Sequence, residues 1–191
     1  FGGTSQYTSP NLLAVLADGS TLAQSLRRPS ELMNLGLRVD FALSPDHSVR
    51  VSFDRHTRET RNQGIGGFNL LDRAFATHNT TNVLRVAEGG PVGRRMYSES
   101  RLQLSWLASA STAAVEAPTI RVVDAFTSGG AQVTGGQHQF EIEAASDLDY
   151  VRGLHSWRVG ALVEGGRYRS DDTSNYLGTY TFASLAAFNA G

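Results

Sequence analysis

Residues Phe140 to Arg169 read FEIEAASDLDYVRGLHSWRVGALVEGGRYR, and no other stretch restricts the fold as much. Phe140, Ile142, Ala144, Leu148 and Tyr150 fall on one parity, and Glu141, Glu143, Asp147 and Asp149 on the other. A period of two sends these sets to opposite faces of a β-strand, whereas a helix would scatter both around its axis. Alternation resumes after Val151-Arg152-Gly153-Leu154-His155, with Trp157, Val159, Ala161 and Val163 set against Arg158, Gly160 and Glu164. The connector is short enough for a hairpin turn, and Gly153 accepts positive φ. The stretch therefore predicts an antiparallel hairpin with one apolar and one charged face.

The same period recurs along the chain. Met33, Leu35, Leu37, Val39 and Phe41 alternate with Asn34, Gly36, Arg38, Asp40 and Ala42. After the turn Ser44-Pro45-Asp46-His47, Val49, Val51 and Phe53 alternate with Arg50, Ser52 and Asp54. Beyond Phe53 both parities are polar (Arg55 to Thr60), which reads as a strand leaving an apolar layer and continuing into water. Thr80 to Glu88 gives a weaker strand, and Leu102, Leu104 and Trp106 alternate with Arg101, Gln103 and Ser105. Leu12 to Leu16 fits strand or helical turn equally. Thr21 to Ser30 reads as a polar connection, and Leu185 to Phe188 as one short helix.

Connections alternate in length. Ser44–His47, Gly89–Arg95 and Val151–His155 are short; Arg61–Thr77, Ala117–Gly136 and the tract from Ser170 onward are long. Both His47-Ser48-Val49-Arg50 and His155-Ser156-Trp157-Arg158 leave a short turn, a repeated solution to one geometry.

Composition narrows the class. The 191 residues suffice for one domain with a sizeable core, and 20 glycines with frequent Ser and Thr favour strands and turns. The net charge of −1 supplies no basic surface for nucleic acid. All 17 basic residues are arginine, which codon usage explains adequately. Without cysteine there is neither a disulfide framework nor thiol chemistry. No apolar run reaches helical membrane-spanning length, but a β-barrel strand needs only about 9–11 alternating residues. The opening Phe1-Gly2-Gly3-Thr4 lacks an initiator Met and a signal peptide, and reads as a strand under way in a fragment of a longer chain.

Alternation with one apolar face suits a soluble β-sandwich, such as a carbohydrate-binding module, or a membrane barrel. Three features favour the barrel. Aromatics mark strand ends on the apolar parity: Phe41, Tyr150 and Trp157 near short turns, Phe140 and Trp106 far from them. The polar parity is densely charged, as a wet lumen allows. The loops are longer than a compact sandwich usually carries.

Three segments carry a resemblance: NQGIGGFNLLDRAFA, VVDAFTSGGAQV and RGLHSWRVGALVEGGRYRSDDTSNYLGTYTFASLAAFNAG. They resemble the barrel region of TonB-dependent outer-membrane receptors, the subset with a carboxypeptidase-regulatory-like domain ahead of the plug. The likeness runs from about Met33 to Gly191. It implies that residues 1–191 are a partial outer-membrane barrel domain. That domain would supply about seven or eight strands of a closed barrel of about 22, with plug and remaining strands outside this sequence. It further implies an outer-membrane lipid environment, import of a bound ligand, and energy delivered through TonB.

The resulting expectation is all-β: one curved antiparallel meander sheet with no buried helix. Met33, Leu35, Leu37, Val39, Val49, Val51, Leu102, Leu104, Ile142, Val159 and Val163 should share the convex, lipid-side surface. Arg38, Asp40, Arg50, Arg101, Glu141, Glu143, Asp147, Asp149 and Arg158 should face the lumen. A carboxylate row also suits general acid–base or cation chemistry, but paired lumen charges need neither. The five histidines show no metal-ligand spacing, Asp171-Asp172 fits no cation loop, and no serine sits in a nucleophile-elbow motif. Neither catalysis nor a metal or cofactor is expected. In the long loops, Phe68, Phe126, Tyr176, Tyr180 and Phe182 are the ligand-contact candidates, since no strand parity explains them; packing of loop against loop is the competing account.

Overall fold

The computed structural model describes all residues from Phe1 to Gly191. It is all-β apart from one 3₁₀ turn and one short helix. The strands are β1 (Gly2–Thr8), β2 (Asn11–Val15), β3 (Thr21–Ser25), β4 (Arg28–Ser44), β5 (His47–Gln63), β6 (Phe75–Val92) and β7 (Met96–Ala113). They continue as β8 (Thr119–Val122), β9 (Phe126–Gly129), β10 (Gly135–Arg152), β11 (His155–Ser170) and β12 (Thr179–Phe182). The 3₁₀ turn spans Leu71–Arg73, and helix α1 spans Leu185–Asn189.

Seven strands form one antiparallel sheet in the order β1-β4-β5-β6-β7-β10-β11. Its registers carry the two-residue period from strand to strand. Val39, Val51, Val86, Leu102, Ala144 and Val163 stand opposite one another in sequence across six strands, on a single face. Leu37, Phe53, Leu84, Leu104 and Ile142 form the adjacent row. A one-residue slip in any ladder would send that strand's apolar set to the charged face, so matching rows fix the register.

The apolar face is uncovered. Leu37, Val39 and Phe41 on β4, and Trp157, Val159 and Val163 on β11, are half or more exposed. Even on the central strands Val86, Leu102 and Leu104 are only partly shielded. No second sheet covers this face, as the inner face of a sandwich would require.

The three short turns, after β4, β6 and β10, lie at one end of the sheet. All long connections lie at the other, and there the sequence expectation needs correction. They are not irregular loops. Thr21–Ser25, within the stretch Thr21–Ser30 read as polar connection, pairs with β2, which settles Leu12–Val15 as strand and leaves Leu16 in the turn that follows. β8 pairs antiparallel with β9 and parallel with β12, so the chain holds three sheets and one parallel strand pair, in place of a single meander. β6 is longer than Thr80–Glu88, because its polar ends are held by ladder bonds to β5 and β7.

These pieces form a cap with its own core. Leu12 (1 % exposed), Ala14, Leu26, Ile65, Val122, Ala125 and Phe126 are buried together, with Leu70, Phe182, Leu185 and Phe188 packed around them. Phe188 meets both Phe126 and Phe182 edge-on, with ring centroids 5.4 and 5.1 Å apart, a favoured aromatic geometry. Backbone bonds weave the segments: Leu13 N–H to Gly67 O (2.8 Å), Leu70 N–H to Thr127 O (2.9 Å) and Val123 N–H to Phe182 O (3.0 Å).

Candidate functional site

All nine charged candidates fall on one face. The ladders align Asp40 with Arg50, and Asp149 with Arg158, while Arg101, Glu141, Glu143 and Asp147 share their parity. The face is laced by ion pairs. Asp40 binds Arg38 (2.9 Å) and Arg50 (2.6 Å), and Asp54 binds Arg85 (2.9 Å). Arg158 lies 3.8 Å from Asp147 and 3.6 Å from Asp149, and Arg101 lies 3.7 Å from Glu143. All are solvent-open, so each pair adds little to stability; together they keep the face wet and charge-balanced. One depression, lined by Gln103, Glu141, Glu143 and Glu164, is acidic and open, about 430 Å³ in volume. Glu143 and Glu164 stand directly opposite, a like-charge pairing that a dry site would not tolerate. No cluster of His, Asp or Glu meets metal-site geometry.

The five aromatic candidates divide. Phe126, only 5 % exposed, lies in the cap core, and Phe182 packs beside it against Phe188. These two rings are explained by loop-on-loop packing. Phe68, Tyr176 and Tyr180 are about half exposed and stay available at the surface. Phe68 borders a depression of about 470 Å³ that also includes Asn69, Arg73, Arg121 and Asp124.

A polar network fixes these surfaces in place. Gln132, 1 % exposed, donates from Nε2 to Thr119 Oγ1 (2.9 Å) and to the Gly178 carbonyl (2.7 Å), and its Oε1 accepts from Leu177 N–H (2.6 Å). Arg73 Nη1 donates to Thr119 Oγ1 (2.6 Å) and to the Gly130 carbonyl. Burial pushes the Arg73 guanidinium below its ordinary pKa. Asp72 accepts from Ser128 Oγ (2.5 Å) and Gly129 N–H (2.7 Å). Gly129 has φ +82°, and a Cβ there would lie 2.0 Å from the Pro118 carbonyl oxygen, so the glycine is required for this close approach. Gln132 carries no periodic or motif signal, and sequence reasoning passed over it.

Glu116 anchors Tyr176 at the cap surface, accepting from the Tyr176 hydroxyl and from Thr134 Oγ1. The Thr134 bond first, and the Tyr176 bond second, hold the Glu116 carboxyl below its ordinary value; the same bond raises the Tyr176 phenol. A depressed carboxyl pKa gives stabilisation that is present above the unfolded value and lost as pH falls through the folded one. Acidification below about pH 4.5 is therefore expected to free Tyr176, seen as a change in tyrosine fluorescence that Glu116→Gln abolishes.

Comparison with known protein families, curated proteins and solved structures returns no match.

Proposed function

We propose that this chain is part of the wall and external cap of a ligand-importing receptor of the TonB-dependent kind, in a bacterial outer membrane. The observation that carries the reading is a two-faced sheet left open at both flanks. β11 has no strand on its outer side, and β4 has none on its outer side from Leu35 to Ser44, because β1 pairs only with Arg28 to Asn34. Long unpaired edges beside an exposed apolar face invite aggregation in water. Further strands along both flanks and lipid over the apolar rows remove both problems.

Dimensions support the reading. From Phe140 to Tyr150, ten rises of about 3.4 Å give about 34 Å along the strand, or about 25 Å across a bilayer at a typical tilt. The strands run 16 to 18 residues, so they extend well past the lipid on the cap side. The charged face then lines the lumen, where a plug and TonB would act. Phe68, Tyr176 and Tyr180 meet ligand from outside. A soluble sandwich would need a second layer over Leu37, Val39 and Val163, which no segment of the chain provides.

Trypsin added to intact cells tests the reading, since with no lysine present it cuts only at arginine. Cleavage is expected in the cap, at Arg27 or Arg121, with Arg94, Arg95 and Arg152 at the short turns spared. Recovery of the chain in the soluble fraction, or cleavage of the short turns first, would refute it.

A further inference from the structure

We propose that Arg167 and Arg169, with His138, hold the phosphate of an outer-leaflet phosphoglycolipid against the aromatic pair Trp106–Phe140. This inference rests on the membrane reading above. On the apolar parity, one row runs Leu35, Arg55, Asn82, Trp106, Phe140, Arg167, and the next runs Met33, Thr57, Thr80, Ala108, His138, Arg169. These rows sit where the lipid-side face changes from apolar to polar on the cap side. Trp106 and Phe140 stand with ring centroids 5.9 Å apart and planes tilted 45°. Aromatic rings at such a boundary mark headgroup level. A depression of about 370 Å³ opens beside them, bordered by Asn82, Trp106, His138, Phe140, Arg167 and Arg169.

The charge at this position is unbalanced. Neither Arg167 nor Arg169 lies within ion-pair distance of a carboxylate, unlike Arg38, Arg50, Arg85, Arg101 and Arg158 on the opposite face. Neither row contains Asp or Glu. The nearest carboxylates on this side lie a row further out: Asp171 accepts from Gly136 N–H, Glu59 is taken by Arg61, and Glu31 lies opposite Glu59 on β4, five strands along from β11. Two guanidinium forks two residues apart on one strand face match a phosphate, and the tilted ring pair beside them offers a surface for sugar and acyl chain. At headgroup level the anionic phosphates of lipid are the partners that such uncompensated cations meet.

The test uses the intact protein in nanodiscs of phosphatidylcholine doped with lipid A, with retained lipid counted by native mass spectrometry. Loss of two charge-assisted contacts is expected to lower lipid A retention about tenfold or more in R167Q/R169Q. R158Q, on the opposite face, should retain it at the level of the unmodified protein. If the double variant does not insert, R169Q alone carries the test, with a loss of about threefold expected. Unchanged retention in these variants, or equal retention of dephosphorylated lipid A, overturns the site. Displacement of the lipid by equimolar inorganic phosphate would assign the cations to a free anion and overturn the lipid source. Failure of the unmodified protein to enter nanodiscs would instead refute the membrane reading itself.

Discussion

Val163→Arg is expected to destabilise the membrane-inserted protein by about 2–4 kcal/mol, the cost of a cation near the bilayer midplane on a barrel's lipid face. Val163 stands opposite Ala144, midway along the apolar band between Phe140 and Tyr150. It is 67 % exposed, so in water the same change would fall within about 0.5 kcal/mol. Leu162 is the internal control: adjacent in sequence, opposite Ala145, and on the charged face. Leu162→Arg should cost no more than about 0.5 kcal/mol. Denaturant titration of folding into phospholipid vesicles measures both. Equal, small effects would show that lipid does not cover the Val163 face, and a larger effect at Leu162 would reverse the assignment of faces.

Phe126→Ala is expected to cost about 3–5 kcal/mol, because the ring is fully enclosed and its loss leaves a cavity between Phe188 and the β2–β3 hairpin. The cost falls on the cap. Protease should nick the segments around β8 and β9 while the seven-stranded sheet keeps its amide-exchange protection. Phe68→Ala, at a half-exposed ring, should leave the cap intact. The pair separates two meanings that a loss of the proposed ligand uptake could have. Loss in Phe126→Ala reports unfolding, and loss in Phe68→Ala at normal surface expression reports a lost contact. Protection of the cap in Phe126→Ala as strong as in the unmodified protein would contradict its placement in the core.

The long strands were readable because their two faces meet different surroundings. Met33 to Phe41 and Phe140 to Tyr150 carry that contrast residue by residue, and alternation is its direct record. The contrast fades where both faces are polar. Phe75 to Asn79 and Ser109 to Ala113 are strand all the same, held by ladder bonds that leave no mark on side-chain pattern. The cap was illegible for another reason. Its strands β3, β8, β9 and β12 have four or five residues, too few to establish a period. Its core joins residues far apart in sequence, as when Asn189 Nδ2 donates to the Ala17 carbonyl at 3.0 Å. Phe126 looked unexplained because its partners, Leu12 and Phe188, lie in other connections, and Phe182 because its partner Phe188 lies across the turn into α1. The charged face was legible as a face, but its ion pairing depended on registers that only the fold supplies.

The shared core of the cap bears on how such a surface could be re-engineered. Four separate excursions of the chain meet in one hydrophobic interior, and Gln132, beside the Thr119 N–H to Gly178 carbonyl bond, ties β8 to the segment before β12. A single excursion transplanted from another protein would arrive without the residues that complete its interior. Exchange of this cap between related chains is therefore expected to succeed only when β2–β3, Gly64–Arg73, β8–β9 and β12–α1 travel as a set, with crossover points inside the long strands.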